Sequence, residues 1–104
     1  MRTDNDSEFA RAVYQLVASV PPGKVSSYGQ IARLAGFPRH ARFVGRLLSQ
    51  LPPGSSLPWW RILRGNGEIA VTGETAARQQ QQLIDEGVSV IGGRVSLRRF
   101  GWQP

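Results

Sequence analysis

Apolar residues recur with helical spacing near the start of the chain, where Phe9, Val13, Leu16, Val17 and Val20 mark one face of a helix over residues 7–19. Asp4, Asn5 and Asp6 precede it, and Glu8 stands three after Asn5 as in a capping box. Pro21-Pro22-Gly23 ends the helix, and Lys24-Val25-Ser26 reads as a short extended link. Ser27, with Gln30 three residues on, opens a second helix whose stripe is Ile31, Leu34 and Ala35 and whose stop is Gly36. The turn Gly36-Phe37-Pro38 leads into a third helix over residues 39–50, giving a helix, a glycine-containing turn and a helix. In the third helix Val44, Leu47, Leu48 and Leu51 are spaced as a core stripe, while Arg39, Arg42 and Arg46 stand at i, i+3 and i+7. Gly45 within it costs roughly 1 kcal/mol against alanine, which points to a close approach there by another helix or by DNA backbone.

Residues 51–56 are a loop by composition and deliver the chain to Leu57-Pro58-Trp59-Trp60-Arg61-Ile62-Leu63. Arg64-Gly65-Asn66-Gly67 is a turn, Glu68-Ile69-Ala70-Val71 reads as a short strand, and a helix follows over residues 75–86. Its four glutamines at 79 to 82 fall on the wet side, Leu83 and Ile84 mark the buried side, and Gly87 is the stop. Val88-Ser89-Val90 and Val95-Ser96-Leu97 flank Ile91-Gly92-Gly93-Arg94, a hairpin signal that resembles a wing after the helices. Trp102 is expected to pack on the body. The pattern predicts one domain over residues 1–104, mainly α with a small β-hairpin or wing, of winged helix-turn-helix type.

Charge sharpens this picture. The chain carries 13 Lys+Arg against 7 Asp+Glu, a net +6, and 12 of the 13 bases are arginine, the side chain best shaped for bidentate phosphate contacts. No acid falls between Phe9 and Gly67, a span that holds eight bases. Such segregation, with Arg39, Arg42 and Arg46 on the second helix of the helix-turn-helix, favours a DNA-binding face over a merely solvated one. Enzymatic chemistry finds no footing. There is no cysteine, so disulfides, thiolate metal sites and cysteine nucleophiles are excluded and a cytoplasmic location is the simpler expectation. His40 is the single histidine, the carboxylates form no inward pair, and Gly65-Asn66-Gly67 is too short to bind phosphates as a fingerprint loop. No catalytic residue, metal or cofactor is expected. No apolar run approaches the roughly 20 residues of a membrane span, and the N-terminus has no apolar signal region.

That leaves two adjacent indoles between a proline and an arginine. Tryptophan beside proline in a small domain is commonly core. In extended geometry, however, neighbours face opposite sides, so one ring can be buried while the other lines a cavity. An aromatic wall suits a base removed from its stack, where stacking contributes roughly 1–3 kcal/mol.

These residues resemble the DNA-binding domain of the O6-alkylguanine-DNA alkyltransferases, and in particular their non-enzymatic alkyltransferase-like relatives. The resemblance rests on Pro22-Gly23-Lys24-Val25-Ser26-Ser27-Tyr28-Gly29-Gln30-Ile31-Ala32, on residues 38–45 with Ala41-Arg42-Phe43-Val44-Gly45, on Pro58-Trp59-Trp60-Arg61, and on Asp85-Glu86-Gly87. The repair enzymes carry Pro-Cys-His-Arg where this chain has Pro58-Trp59-Trp60-Arg61, so the alkyl-accepting thiol and its activating histidine are both absent. Tryptophan at the cysteine position is the alkyltransferase-like pattern; the second tryptophan departs from the usual histidine. By position, Tyr28 corresponds to the tyrosine that displaces the target nucleotide's phosphate, Arg42 to the arginine that replaces the extruded base, and Glu86 to a glutamate of the enzymes' catalytic hydrogen-bond chain. Leu51 replaces their asparagine hinge. The family sets its recognition helix in the minor groove, where sequence information is sparse. The resemblance therefore implies a lesion pocket bordered by Tyr28, Trp59, Arg61, Val71, Thr72 and Gly73, with Tyr28, Arg39, Arg42 and Arg46 on DNA. It implies as partners double-stranded DNA with O6-alkylguanine and nucleotide excision repair proteins, the chain acting as a monomer, off the membrane and on the nucleoid when bound. The competing readings are a sequence-specific winged-helix regulator, for which no dimer zipper is visible, and an alkyltransferase using another nucleophile.

Overall fold

The computed structural model describes residues 4–104, with side chains from Glu8 onward; the predicted cap at Asp4, Asn5 and Asp6 lies outside the described side chains. Helix α1, Asp4–Ser19, buries Phe9, Val13 and Val17, with Val20 just beyond its end, as the spacing predicts. The chain then runs through β1, Ser26–Ser27, straight into α2, Tyr28–Leu34, and across the turn at Gly36 into α3, Ala41–Ser49. The Ser27 hydroxyl accepts from the Gln30 N–H at 3.0 Å and caps α2. Gln30 does not complete a capping box. Its side chain accepts from the Ser26 hydroxyl and donates to the Trp102 carbonyl at 3.0 Å, tying the C-terminal segment to the start of α2. Leu34, predicted on the buried stripe, is exposed; Ala35 and Phe37 pack in its place against the core of α1, α2 and α3.

After α3 a proline-rich loop reaches a single 3₁₀ turn, Trp59–Arg61, which feeds β2, Ile62–Leu63. β1 and β2 pair in parallel, Ser26 with Ile62 and Ser27 with Leu63. This two-stranded ribbon separates two cores because successive residues face opposite sides. Ile62 belongs to the core of Phe9, Val13, Val17, Ile31 and Val44, and Leu63 to a second core with Val25, Leu83, Val88 and Val95. Helix α4, Gly73–Asp85, contributes Leu83 to that second core, and the short α5, Leu97–Phe100, closes it. Trp102 packs against the first core, as expected, and its N–H donates to the Val25 carbonyl at 2.7 Å.

The C-terminal hairpin forms only at its turn. Ile91 and Arg94 exchange backbone bonds around Gly92 and Gly93, but Val88-Ser89-Val90 does not pair with Val95-Ser96-Leu97. Val95 instead donates to the Gly67 carbonyl, Arg94 bridges to Glu68, and Leu97 begins α5. Gly67 makes this possible, since its φ is +89° and a β-carbon there would stand 2.2 Å from the Val95 carbonyl oxygen. The predicted strand at residues 68–71 is reduced to that one bridge. The domain is thus mainly helical, with a two-stranded parallel sheet and a small wing-like turn. Among the described residues no helix is long and apolar enough to cross a membrane.

Candidate nucleic-acid interface

Pro58 sets the geometry of the site. With φ −79° and ψ 64° it forms an inverse γ-turn, in which the Trp59 N–H donates to the Leu57 carbonyl at 2.8 Å. The 3₁₀ turn follows directly, with the Arg61 N–H on the Pro58 carbonyl at 3.1 Å. Trp59 and Trp60 are therefore not in extended geometry and do not point to opposite sides. Their rings meet edge to face, centroids 6.2 Å apart and planes at 84°, and both border one cavity of about 650 Å³. That volume is in the range of small-molecule sites.

The cavity lies among α3, the 51–55 loop, the 3₁₀ turn and α4. Of the six residues that the resemblance implies for a lesion pocket, Tyr28, Trp59, Val71 and Thr72 line this cavity, whereas Arg61 and Gly73 do not. Arg61 turns inward: it donates to the Val20 carbonyl at 2.8 Å and holds Glu86 through Nε at 2.9 Å and Nη2 at 2.5 Å. Trp60 reaches the same carboxylate, donating from Nε1 to Oε2 at 3.1 Å. Burial acts to raise the Glu86 carboxyl, but the hydrogen bonds from Arg61 and Trp60, the Arg61 charge and the Gly23 N–H together hold it below the ordinary glutamate value. Glu86 is thus the ionised anchor of the turn. Trp60 supplies a ring N–H donor to it, but an indole has no lone-pair nitrogen with which to accept a proton.

The turn is fixed from the other side by Gln79, whose amide donates to the carbonyls of Trp60 at 3.0 Å and Ile62 at 3.1 Å. The sequence placed all four glutamines on the wet face; three are exposed, but Gln79 is fully buried and Ile84 is exposed in its stead. The signal was present, because Gln79 precedes the buried Leu83 by four residues and shares its face. Thr75, Arg78 and Gln82, at i, i+3 and i+7, form a separate face of α4 that lines the cavity. Leu51, Pro52, Pro53, Gly54 and Ser55 also wall it, although their composition marked only a connecting loop.

Tyr28 stands at the cavity's α3 side. A β-carbon on Gly45 would lie 3.8 Å from the Tyr28 ring, an ordinary contact, so the tyrosine covers this glycine without forbidding a larger residue. Burial pushes the Tyr28 phenol up, with the Arg64 charge acting against it, so the hydroxyl stays protonated and can donate at neutral pH. On α3, Gly45, Leu48 and Ser49 face the cavity; Arg42, one turn before Gly45, is exposed and does not line it. Arg46 follows on the outer side with its guanidinium 5.4 Å from the Phe43 ring centroid. Arg39 lies in the turn before α3 rather than on it, because the helix begins at Ala41. His40, at the N-terminal boundary of α3, sits among Phe9, Phe37 and Phe43. Among the described residues no cluster of His, Cys, Asp and Glu could hold a metal ion.

The family described as 6-O-methylguanine DNA methyltransferase, DNA binding domain, matches residues 8–88. A DNA base-flipping protein of Escherichia coli is 45% identical over 102 residues, which cover 97% of this chain and 79% of that protein. Alkyltransferase-like protein 1 of Schizosaccharomyces pombe is 38% identical over 111 residues, with both chains covered in full. A crystal structure of S. pombe Atl1 in complex with damaged DNA containing O6-carboxymethylguanine matches with a TM-score of 0.88 at 36% identity over the whole of both chains. The chain belongs to the 6-O-methylguanine DNA methyltransferase DNA-binding-domain family, among its alkyltransferase-like members.

Proposed function

We propose that the chain binds duplex DNA at O6-alkylguanine, turns the damaged base into the cavity beside Trp59, and leaves the alkyl group in place. One observation carries the reading: the cavity opens beside the arginine-bearing α3, and Trp59, which the resemblance sets at the thiol position of the repair enzymes, forms part of its wall. We assign to Arg42, exposed on α3 one turn before Gly45, the role of filling the space left by the base, and to the protonated Tyr28 hydroxyl the contact with the backbone phosphate. Burying one methyl contributes about 0.8 kcal/mol, only around fourfold in affinity. The rest of the discrimination comes from the weakened pair, since extrusion costs a few kcal/mol and least for a damaged base.

Because no bond is made, the protein releases the lesion unchanged and acts as a flag. We assign the next step to nucleotide excision repair, with the chain working as a cytoplasmic monomer on the nucleoid. Titration of duplexes with and without O6-methylguanine, beside an intact-mass measurement of the protein after incubation, tests the first part. Preferential binding with unchanged mass is expected; equal affinity for both duplexes defeats the lesion pocket, and a mass gain of one alkyl group defeats the non-enzymatic reading. For the second part, deleting the gene should add no alkylation sensitivity to cells already lacking excision repair. Additive sensitivity would separate the two.

A further inference from the structure

Of the sixteen residues that wall the cavity, one is charged: Arg78. No carboxylate lines it, and Glu86, close to the turn, is held away by Arg61 and Trp60. Arg78 shares its face of α4 with Thr75 and Gln82, and its side chain is exposed. Among the described residues it makes no ion pair, not even with Glu74 one turn earlier, whereas Arg61 and Arg94 are each bound to a glutamate. A planar guanidinium on an otherwise neutral wall is shaped to donate two parallel bonds to a carboxylate.

Resting on the lesion-pocket reading above, we propose that Arg78 makes the cavity selective for O6 adducts that end in an anion, carboxyalkyl groups above all. An apolar adduct gains only contact area, about fourfold in affinity per buried methylene, whatever residue stands at 78. A carboxylate brought against the same wall without a cation loses solvation and binds worse. With Arg78 beside it the sign reverses. A charge-assisted pair in a partly solvated site should favour the anion by roughly three- to tenfold.

The test uses four duplexes of one sequence carrying guanine, O6-methylguanine, O6-carboxymethylguanine or its neutral amide, O6-carbamoylmethylguanine, at one ionic strength. The last two have nearly the same shape and differ in charge. The wild type should prefer carboxymethyl over carbamoylmethyl by that three- to tenfold, the preference should shrink as salt rises, and Arg78→Gln should abolish or invert it while Arg78→Lys keeps part. A carboxymethyl preference that is absent in the wild type, or unchanged in Arg78→Gln, overturns the proposal. So does an equal loss on all four duplexes in Arg78→Gln, which would make Arg78 a phosphate contact. If none of the adducts outcompetes unmodified guanine, the lesion pocket itself fails, and this inference with it.

Discussion

Replacing Trp60 by phenylalanine deletes one N–H donor and trims a ring, while leaving an aromatic face for the Arg61 guanidinium, now 5.4 Å from the indole centroid. Glu86 keeps its three contacts to Arg61 and loses the 3.1 Å bond from Nε1. A hydrogen bond to a charged group contributes about 1.5–3 kcal/mol. The Glu86 side chain is 14% exposed, so water replaces part of what is lost, and about 1–2 kcal/mol is the better expectation. For a domain of this size that lowers Tm by roughly 5–15 °C. The pH dependence separates the bond from the packing. The Glu86 carboxyl ionises below its usual 4.5 in the folded state. Its contacts therefore stabilise fully above that value and are lost as the pH falls through the lower folded one. The gap between wild type and Trp60→Phe, measured by urea unfolding at a series of pH values, should be full at neutral pH and close below pH 4.5. A gap that stays constant down to the acid limit of folding would show that the indole contributes only bulk, and the anchor described here would be wrong.

Gln79→Ala removes the donor of two carbonyls and leaves a void beside the turn, so urea unfolding should register a loss of about 2–4 kcal/mol, against less than about 0.5 for the exposed Gln81→Ala. Gly45→Ala should raise stability by up to about 1 kcal/mol, since its β-carbon makes only ordinary contact with Tyr28. It should also weaken DNA binding several-fold, and unaltered affinity would remove DNA as the reason for a glycine there. Arg39→Gln should lower the slope of log K against log salt by about 0.9 without changing the ratio of damaged to undamaged affinity; an unchanged slope takes Arg39 off the phosphates. Trp59→Cys should acquire no alkyl mass from O6-methylguanine DNA, because the neighbouring indole can donate a proton bond but cannot accept one; efficient transfer by this single variant would refute that account of Trp60.

What the sequence disclosed and what it hid divide along a physical line. The three N-terminal helices were legible because α1 buries Phe9, Val13 and Val17 at helical spacing, Ile31 with Ala35 and Val44 with Leu47 and Leu48 pack against the same core, and Ser27 caps α2 with its own hydroxyl. The arms of the terminal hairpin were misread because Gly92-Gly93 specifies a turn locally, whereas the partner of Val95 is decided by Gly67, some thirty positions away and open to close approach. The resemblance placed Arg61 at the pocket; its guanidinium is claimed by Glu86 from the end of α4. The wall made by residues 51–55 and by Thr75, Arg78 and Gln82 was invisible for the same reason, since a cavity between elements has no period along the chain. The indole pair failed differently. Extended geometry would turn the two rings to opposite sides, but Pro58 bends the chain one residue before the pair.

The bend also bears on the proposed non-enzymatic reading, because the shape of the turn does not depend on the side chain at position 59. The turn is held by Gln79 on the carbonyls of Trp60 and Ile62, by Arg61 on Val20 and Glu86, and by Trp60 on Glu86. None of these bonds uses the side chain of residue 59. That position is free of the framework, so a thiol can be exchanged there for an indole without disturbing the turn that presents it. Position 60 is not free, because it must give an N–H to Glu86. An indole meets that demand and, having no basic nitrogen, forfeits proton abstraction. Under the proposed correspondence of Trp59 and Trp60 to the enzymes' cysteine and histidine, the nucleophile and its base would be lost in separate ways, one at a position outside the hydrogen-bonded framework of the turn and one at a position inside it.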